Sequence, residues 1–176
     1  MQNIQTVVFD WISEQDSVIN KLSPEEQQVV SGFSILWSYF EARVCGTDAN
    51  IAKLRKIARD ISADKTFDPT ILHAAMDYFR RRFVDNGQPT EHFVYLEIQK
   101  ERDEKELLEI LYSDNTDVAK ELEAALFIIY RFRNNLFHGM KWAYGIRGQK
   151  QNLTTAIDLM KSLIPVGAKI QGYFVM

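Results

Sequence analysis

An all-α fold, an up-and-down helical bundle carrying one additional helix at its N-terminus, is what this sequence predicts. Three observations lead there. Apolar residues recur at three- and four-residue spacing along nearly the whole chain. Helix starts and stops punctuate that pattern at plausible intervals. Internal repeats, low-complexity linkers and a convincing domain boundary are all missing, so residues 1–176 read as one domain, long enough at 176 residues to bury a core.

The elements follow in order. Ile4, Val7, Val8, Trp11, Ile12, Val18 and Ile19 form one stripe, an amphipathic helix within residues 1–22. In "SPEE", Ser23 is the expected N-cap, Pro24 takes N1 and Glu26 takes N3, a capping box opening the second helix and the bundle of residues 23–164. That helix carries Val29, Phe33, Leu36, Trp37, Phe40 and Val44 inward and stops at Gly46. A third helix, about 48–61, turns Ile51, Leu54, Ile57, Ala58 and Ile61 inward. "DPT" starts a fourth, with Asp68 as cap and Pro69 at N1, and Asn86–Gly87 ends it. Residues 90–99 fit either a short helix or an extended segment. A charged helix at 101–112 is broken by "SDNTD". A long helix from about 116 to 137 and a loop at 139–152 follow. A last helix from 153 to 164 is halted by Pro165, and the tail 165–176 is a strand or a loose end.

Composition narrows the function classes. Hydrophobic residues make up 46% and charged residues 26%, the balance of a globular chain. A net charge of −3 argues against coating nucleic acid through bulk charge. The single cysteine, Cys45, rules out an intrachain disulfide and a multi-thiolate metal site, and His73 and His92 have no partner at metal-ligand spacing, so neither metal nor cofactor is expected. No apolar run approaches the roughly 20 residues of a membrane span, and the N-terminus lacks a basic region ahead of an apolar one. A soluble, cytoplasmic protein is expected.

Charge is uneven along the chain. Residues 97–123 hold ten acids and four bases, whereas 124–157 hold no acid, with Arg131, Arg133, Lys141, Arg147 and Lys150 as the bases. An acid-free stretch around a histidine suits a phosphodiester ligand. The plainer reading is a solvated basic loop answering the acidic helix before it. "RRR" at Arg80 to Arg82 spans most of a turn and reads as a solvated rim.

Within the acid-free stretch lies "YRFRNNLFHG", Tyr130 to Gly139, behind the apolar "AALFII". Arg133 and His138 stand as R-x-x-x-x-H, a spacing that ten arginines and three histidines readily produce by chance. Placement adds weight. Asn134 and His138 are i and i+4 and share a face, with Arg133 about 100° round the helix. Gly139 suggests that the helix closes at His138, where the dipole favours a cation. A histidine at a rim can move protons, and a guanidinium fork can clamp phosphate oxygens. The alternative is an arginine paired to a neighbouring helix and a histidine that merely caps.

The wording "RNNLFHG" closely resembles the R-N-x-x-x-H motif of the HEPN superfamily (higher eukaryotes and prokaryotes nucleotide-binding). "LWSYFEAR", Leu36 to Arg43, resembles the W-x-x-F-E helix found upstream in one branch. Together they cover about 25 residues. The resemblance implies a HEPN-like bundle in which Arg133 clamps the phosphate, His138 is the general acid/base and Asn134 orients the pair. Glu41 would support Arg133. Arg131, Lys141, Arg147 and Lys150 are candidate substrate contacts, and Trp142 and Tyr144 are either base-stacking residues or loop anchors. The activity implied is metal-independent RNA endonuclease chemistry at a homodimeric site. The setting implied is toxin–antitoxin or antiviral defence, with an antitoxin or other regulatory protein as a possible partner. Non-catalytic nucleotide, RNA or protein binding, or a structural role in an assembly, is the alternative. Two departures stand out: "HGMKW" replaces the usual "HGGK", placing Met140 after the motif, and the N-terminal helix is an addition.

Overall fold

Ser23 opens the bundle with a reciprocal capping box. Its Oγ accepts from the Glu26 amide at 3.2 Å, while the Glu26 carboxylate accepts from the Ser23 amide at 2.9 Å. The computed structural model describes residues 4–15, 22–113, 117–138 and 148–173. Among them are eight helices and one hairpin: α1 (Ile4–Gln15), α2 (Pro24–Arg43), α3 (Ile51–Ser62), α4 (Thr70–Phe83), β1 (Val84–Asp85), β2 (Gln88–Pro89), α5 (Glu91–Val94), α6 (Glu101–Tyr112), α7 (Val118–Phe137) and α8 (Lys150–Ile170). The fold is an all-α helical bundle. No helix among the described residues is long and apolar enough to cross a membrane.

α2 packs along α8 and α3 along α7, while α4 bridges α7 and α8. α7 is the central helix, because residues 124–129 are buried without interruption and leave it no solvent face there. Phe33, Trp37 and Phe40 of α2, Ile61 of α3, Leu72, Met76 and Phe79 of α4, and Leu122 and Leu126 of α7 are each essentially sealed from water. Each such side chain contributes about 1.5–3 kcal/mol on burial. An aromatic chain of Phe79, Phe83, Phe93 and Phe132 links α4, α5 and α7.

Several boundaries differ from expectation. α3 begins at Ile51, because Asn50 Oδ1 accepts from the Lys53 amide at 3.0 Å and sets the cap there. Asp68 does not cap α4 from the expected position. It accepts from both the amide and hydroxyl of Thr70, at 2.9 and 2.6 Å, and Pro69 stands at the N-cap. Asn86 and Gly87 do more than stop a helix. Both take positive φ, 49° and 71°, as the two-residue turn of the β1–β2 hairpin.

Pro165 does not end the last helix. α8 runs through it to Ile170, because Pro165 faces solvent, where a carbonyl that lacks the proline's missing N–H can turn to water, while Val166, Gly167 and Ala168 beyond it are buried. Gly167 is needed where it stands, since an added Cβ would meet a Val44 methyl at 2.6 Å. α8 also starts three residues earlier than expected, and its entry is tied to α2 through the Gly148 amide donating to Glu26 Oε1 at 3.0 Å.

Candidate functional site

The buried stem of α7 brings Arg133 to the surface opposite α2. Its guanidinium carbon lies 5.9 Å from the Trp37 ring centre and 5.4 Å from that of Phe137, so the cation is flanked by two aromatic rings. Nη1 donates to Asn134 Oδ1 at 3.1 Å, and Nη2 is 3.9 Å from Glu41 Oε2. Glu41 is itself fixed: Oε2 accepts from Trp37 Nε1 at 3.1 Å and Oε1 from the Ala49 amide at 3.1 Å. The structure therefore assembles Arg133, Asn134 and Glu41, and adds Trp37 as a buried platform. The aromatic rings and the loose Glu41 contact orient the fork without using it up, which suits a guanidinium that must meet an incoming anion.

His138 is the C-cap of α7 and exposed, with its backbone N–H donating to the Asn134 carbonyl at 2.9 Å. The described residues give its imidazole no hydrogen bond or ion pair. An exposed imidazole at the helix end, one turn beyond Asn134, is free to exchange protons with a bound molecule.

The two neighbouring asparagines divide their duties, a split the sequence reading missed. Asn134 serves Arg133, whereas Asn135 is buried and donates from Nδ2 to the Tyr95 carbonyl at 2.9 Å. Arg131 belongs with Asn135. The structure engages this expected substrate contact elsewhere: Nε donates to the Leu96 carbonyl at 2.7 Å and Nη2 to the Glu97 carbonyl at 2.5 Å. Burial pushes its pKa below the usual guanidinium value. Arg131 and Asn135 thus fasten the turn after α5, where Glu97 holds a positive φ of 53°, onto α7.

Lys150 is ion-paired with Glu25 at the start of α2, and this partner holds the Glu25 carboxyl below its ordinary value. Lys141 and Arg147, together with Gly139, Met140, Trp142 and Tyr144, lie outside the described residues. A stretch without acids in sequence is therefore not without acids in space, since α2 supplies Glu25 to Lys150 and Glu41 to Arg133.

The arginine triplet is not a solvated rim throughout. Arg80 Nη2 donates to the buried Glu121 Oε1 at 2.7 Å, and Glu121 Oε2 lies 2.9 Å from His73 Nδ1, so Glu121 gathers both side chains of α4. Arg82 is half-buried and Arg81 exposed. Cys45, at the end of α2, is buried, and its thiol is pushed up to about 12, first by burial and then by the Glu41 charge. A groove of about 810 Å³ opens elsewhere, between α3, α6 and α7, but its three arginines face nearby acids, as in Arg55–Asp103 at 3.1 Å, Arg59–Glu123 at 3.6 Å and Arg102–Glu106 at 2.8 Å. The chemistry at the end of α7, and not that larger opening, marks the candidate site.

No family model, curated protein or solved structure matches the chain. What the site can do has to be read from its own groups. A guanidinium held at the surface and an exposed imidazole one turn further along the same helix end together offer charge stabilisation and proton transfer.

Proposed function

We propose that the protein is a metal-independent RNA endonuclease of the HEPN type, acting through Arg133, Asn134 and His138 in a site shared by two copies. The observation that carries this reading is the oriented Arg133 fork on the same helix end as an exposed His138, whose imidazole has no hydrogen bond or ion pair among the described residues, in the order R-N-N-L-F-H. One His138 takes the proton from a ribose 2′-hydroxyl, and that oxygen attacks the adjacent phosphorus. The bond from phosphorus to the 5′-oxygen breaks, and the second copy's imidazolium protonates the leaving oxygen. A 2′,3′-cyclic phosphate and a free 5′-hydroxyl result. Arg133 stabilises charge gathering on the phosphoryl oxygens, a role worth roughly 3–4 kcal/mol where a single such donor has been removed from an enzyme. The setting we propose is cytoplasmic, in toxin–antitoxin or antiviral defence, with a regulatory protein restraining the activity.

A second reading is RNA or nucleotide binding without cleavage, for which the oriented Arg133 fork alone suffices. Purified His138→Ala and Arg133→Ala variants separate the two. The catalytic reading expects RNA cleavage to fall by at least about a hundredfold in each, with unchanged melting and mass. Full cleavage by either variant would overturn it.

A further inference from the structure

We propose that Phe137 is a stacking platform for an unpaired base of the RNA held at this site, the base adjoining the phosphate that Arg133 grips; this deepens the reading above and rests on it. Phe137 is the last residue of α7, directly before His138. It remains 51% exposed while Leu136 beside it is buried at 6%. About half of the Phe137 surface is thus open to a ligand at the end of an otherwise well-buried helix.

The ring is nevertheless held in place. The Arg133 guanidinium lies against it at 5.4 Å and against Trp37 at 5.9 Å. Trp37 is 1% exposed and out of reach of any ligand, which makes Phe137 the aromatic of this sandwich that a ligand can touch. Among the described residues, the other exposed aromatics flanking a cation, Tyr39 and Tyr173, serve Arg43 and not Arg133. A strand whose phosphate meets the Arg133 fork therefore has this half-exposed ring next to it. Stacking there tolerates any base, because every base has a flat face, and requires that the base be unstacked from its neighbours. The platform thus predicts selectivity for single strands with weak sequence preference at the stacked position.

The test uses the full chain carrying His138→Ala, with a fluorescein-labelled single-stranded RNA of 12 nucleotides and the matching duplex as probes, read by anisotropy. Adding Phe137→Leu, which keeps apolar bulk but removes the π-face, weakens single-strand binding by between about 5- and 150-fold. Adding Phe137→Trp keeps it within about threefold of the parent. Duplex binding is unchanged in both. The platform is overturned if Phe137→Leu binds the single strand like its parent, if the duplex weakens equally, or if the loss follows dissociation of a dimer measured by sedimentation. Cleavage by the chain with His138 intact is read separately. Cleavage with no Phe137 dependence removes the platform and leaves the ribonuclease; Phe137-dependent binding without cleavage does the reverse.

Discussion

Glu41→Gln is nearly isosteric, yet it removes an acceptor that the structure uses on both oxygens. The carboxylate takes the Trp37 indole N–H on one oxygen and the Ala49 amide on the other, each at 3.1 Å. A glutamine has one carbonyl oxygen and an NH₂ that cannot accept, so one of the two donors faces another donor. Trp37 is 1% exposed and has no recourse to water; leaving such a donor unpaired costs about 1–3 kcal/mol. Losing the charge beside Arg133, at 3.9 Å and with both side chains about a quarter exposed, adds about 0–1 kcal/mol. The substitution should therefore destabilise the chain by about 1–4 kcal/mol. In a Trp37→Phe background the indole donor is gone, and the remaining amide can be served by the glutamine oxygen. There, Glu41→Gln should cost no more than about 1 kcal/mol. Denaturant unfolding of the four proteins, compared at equal m-values, gives the coupling directly. Additivity within about 0.5 kcal/mol would show that Glu41 does not anchor Trp37 and would remove the argument that this pair presents Arg133.

Other consequences follow from the same geometry. Asn135→Ala removes its hydrogen bond to the Tyr95 carbonyl and should cost about 0.5–1.5 kcal/mol in a melt, whereas Asn134→Ala should change stability by less than about 0.5 kcal/mol while lowering RNA cleavage. Arg131→Lys cannot span two carbonyls and should destabilise by about 1.5–3 kcal/mol, with the salt dependence of RNA binding left as it was. Cys45, its thiol held up near 12, should resist iodoacetamide at pH 8 in the folded chain and react on unfolding. Because its folded value is raised, its contribution to stability is complete below about pH 9 and is lost as pH climbs towards 12, where the unfolded thiol has already ionised. Urea midpoints at pH 8 and pH 10 should diverge less in Cys45→Ala than in the parent.

The helical bundle could be read from the sequence because its cores repeat at helical spacing and Ser23 announces its cap chemically. Pro165 misled because a local rule competes with packing: the proline sits on the wet side, and burial of Val166 and Ala168 carries the helix past it. The β1–β2 hairpin was invisible since two-residue strands have no alternation to detect. At the site, Arg133, Asn134 and Glu41 could be picked out because motif residues adjacent on α7 meet a recognisable helix. Arg131 and Asn135 could not, because their partners are backbone carbonyls of residues 95–97, which carry no residue-specific signal. The acid-free stretch overstated its own charge, as Glu25 reaches Lys150 from 125 residues away.

The chemistry of the RNA ends tests the central claim most directly. Purified protein incubated with single-stranded RNA in EDTA should yield 2′,3′-cyclic phosphate and 5′-hydroxyl ends, the products of attack by the neighbouring 2′-oxygen. Products with 3′-hydroxyl and 5′-phosphate ends, or cleavage abolished by EDTA, would contradict it.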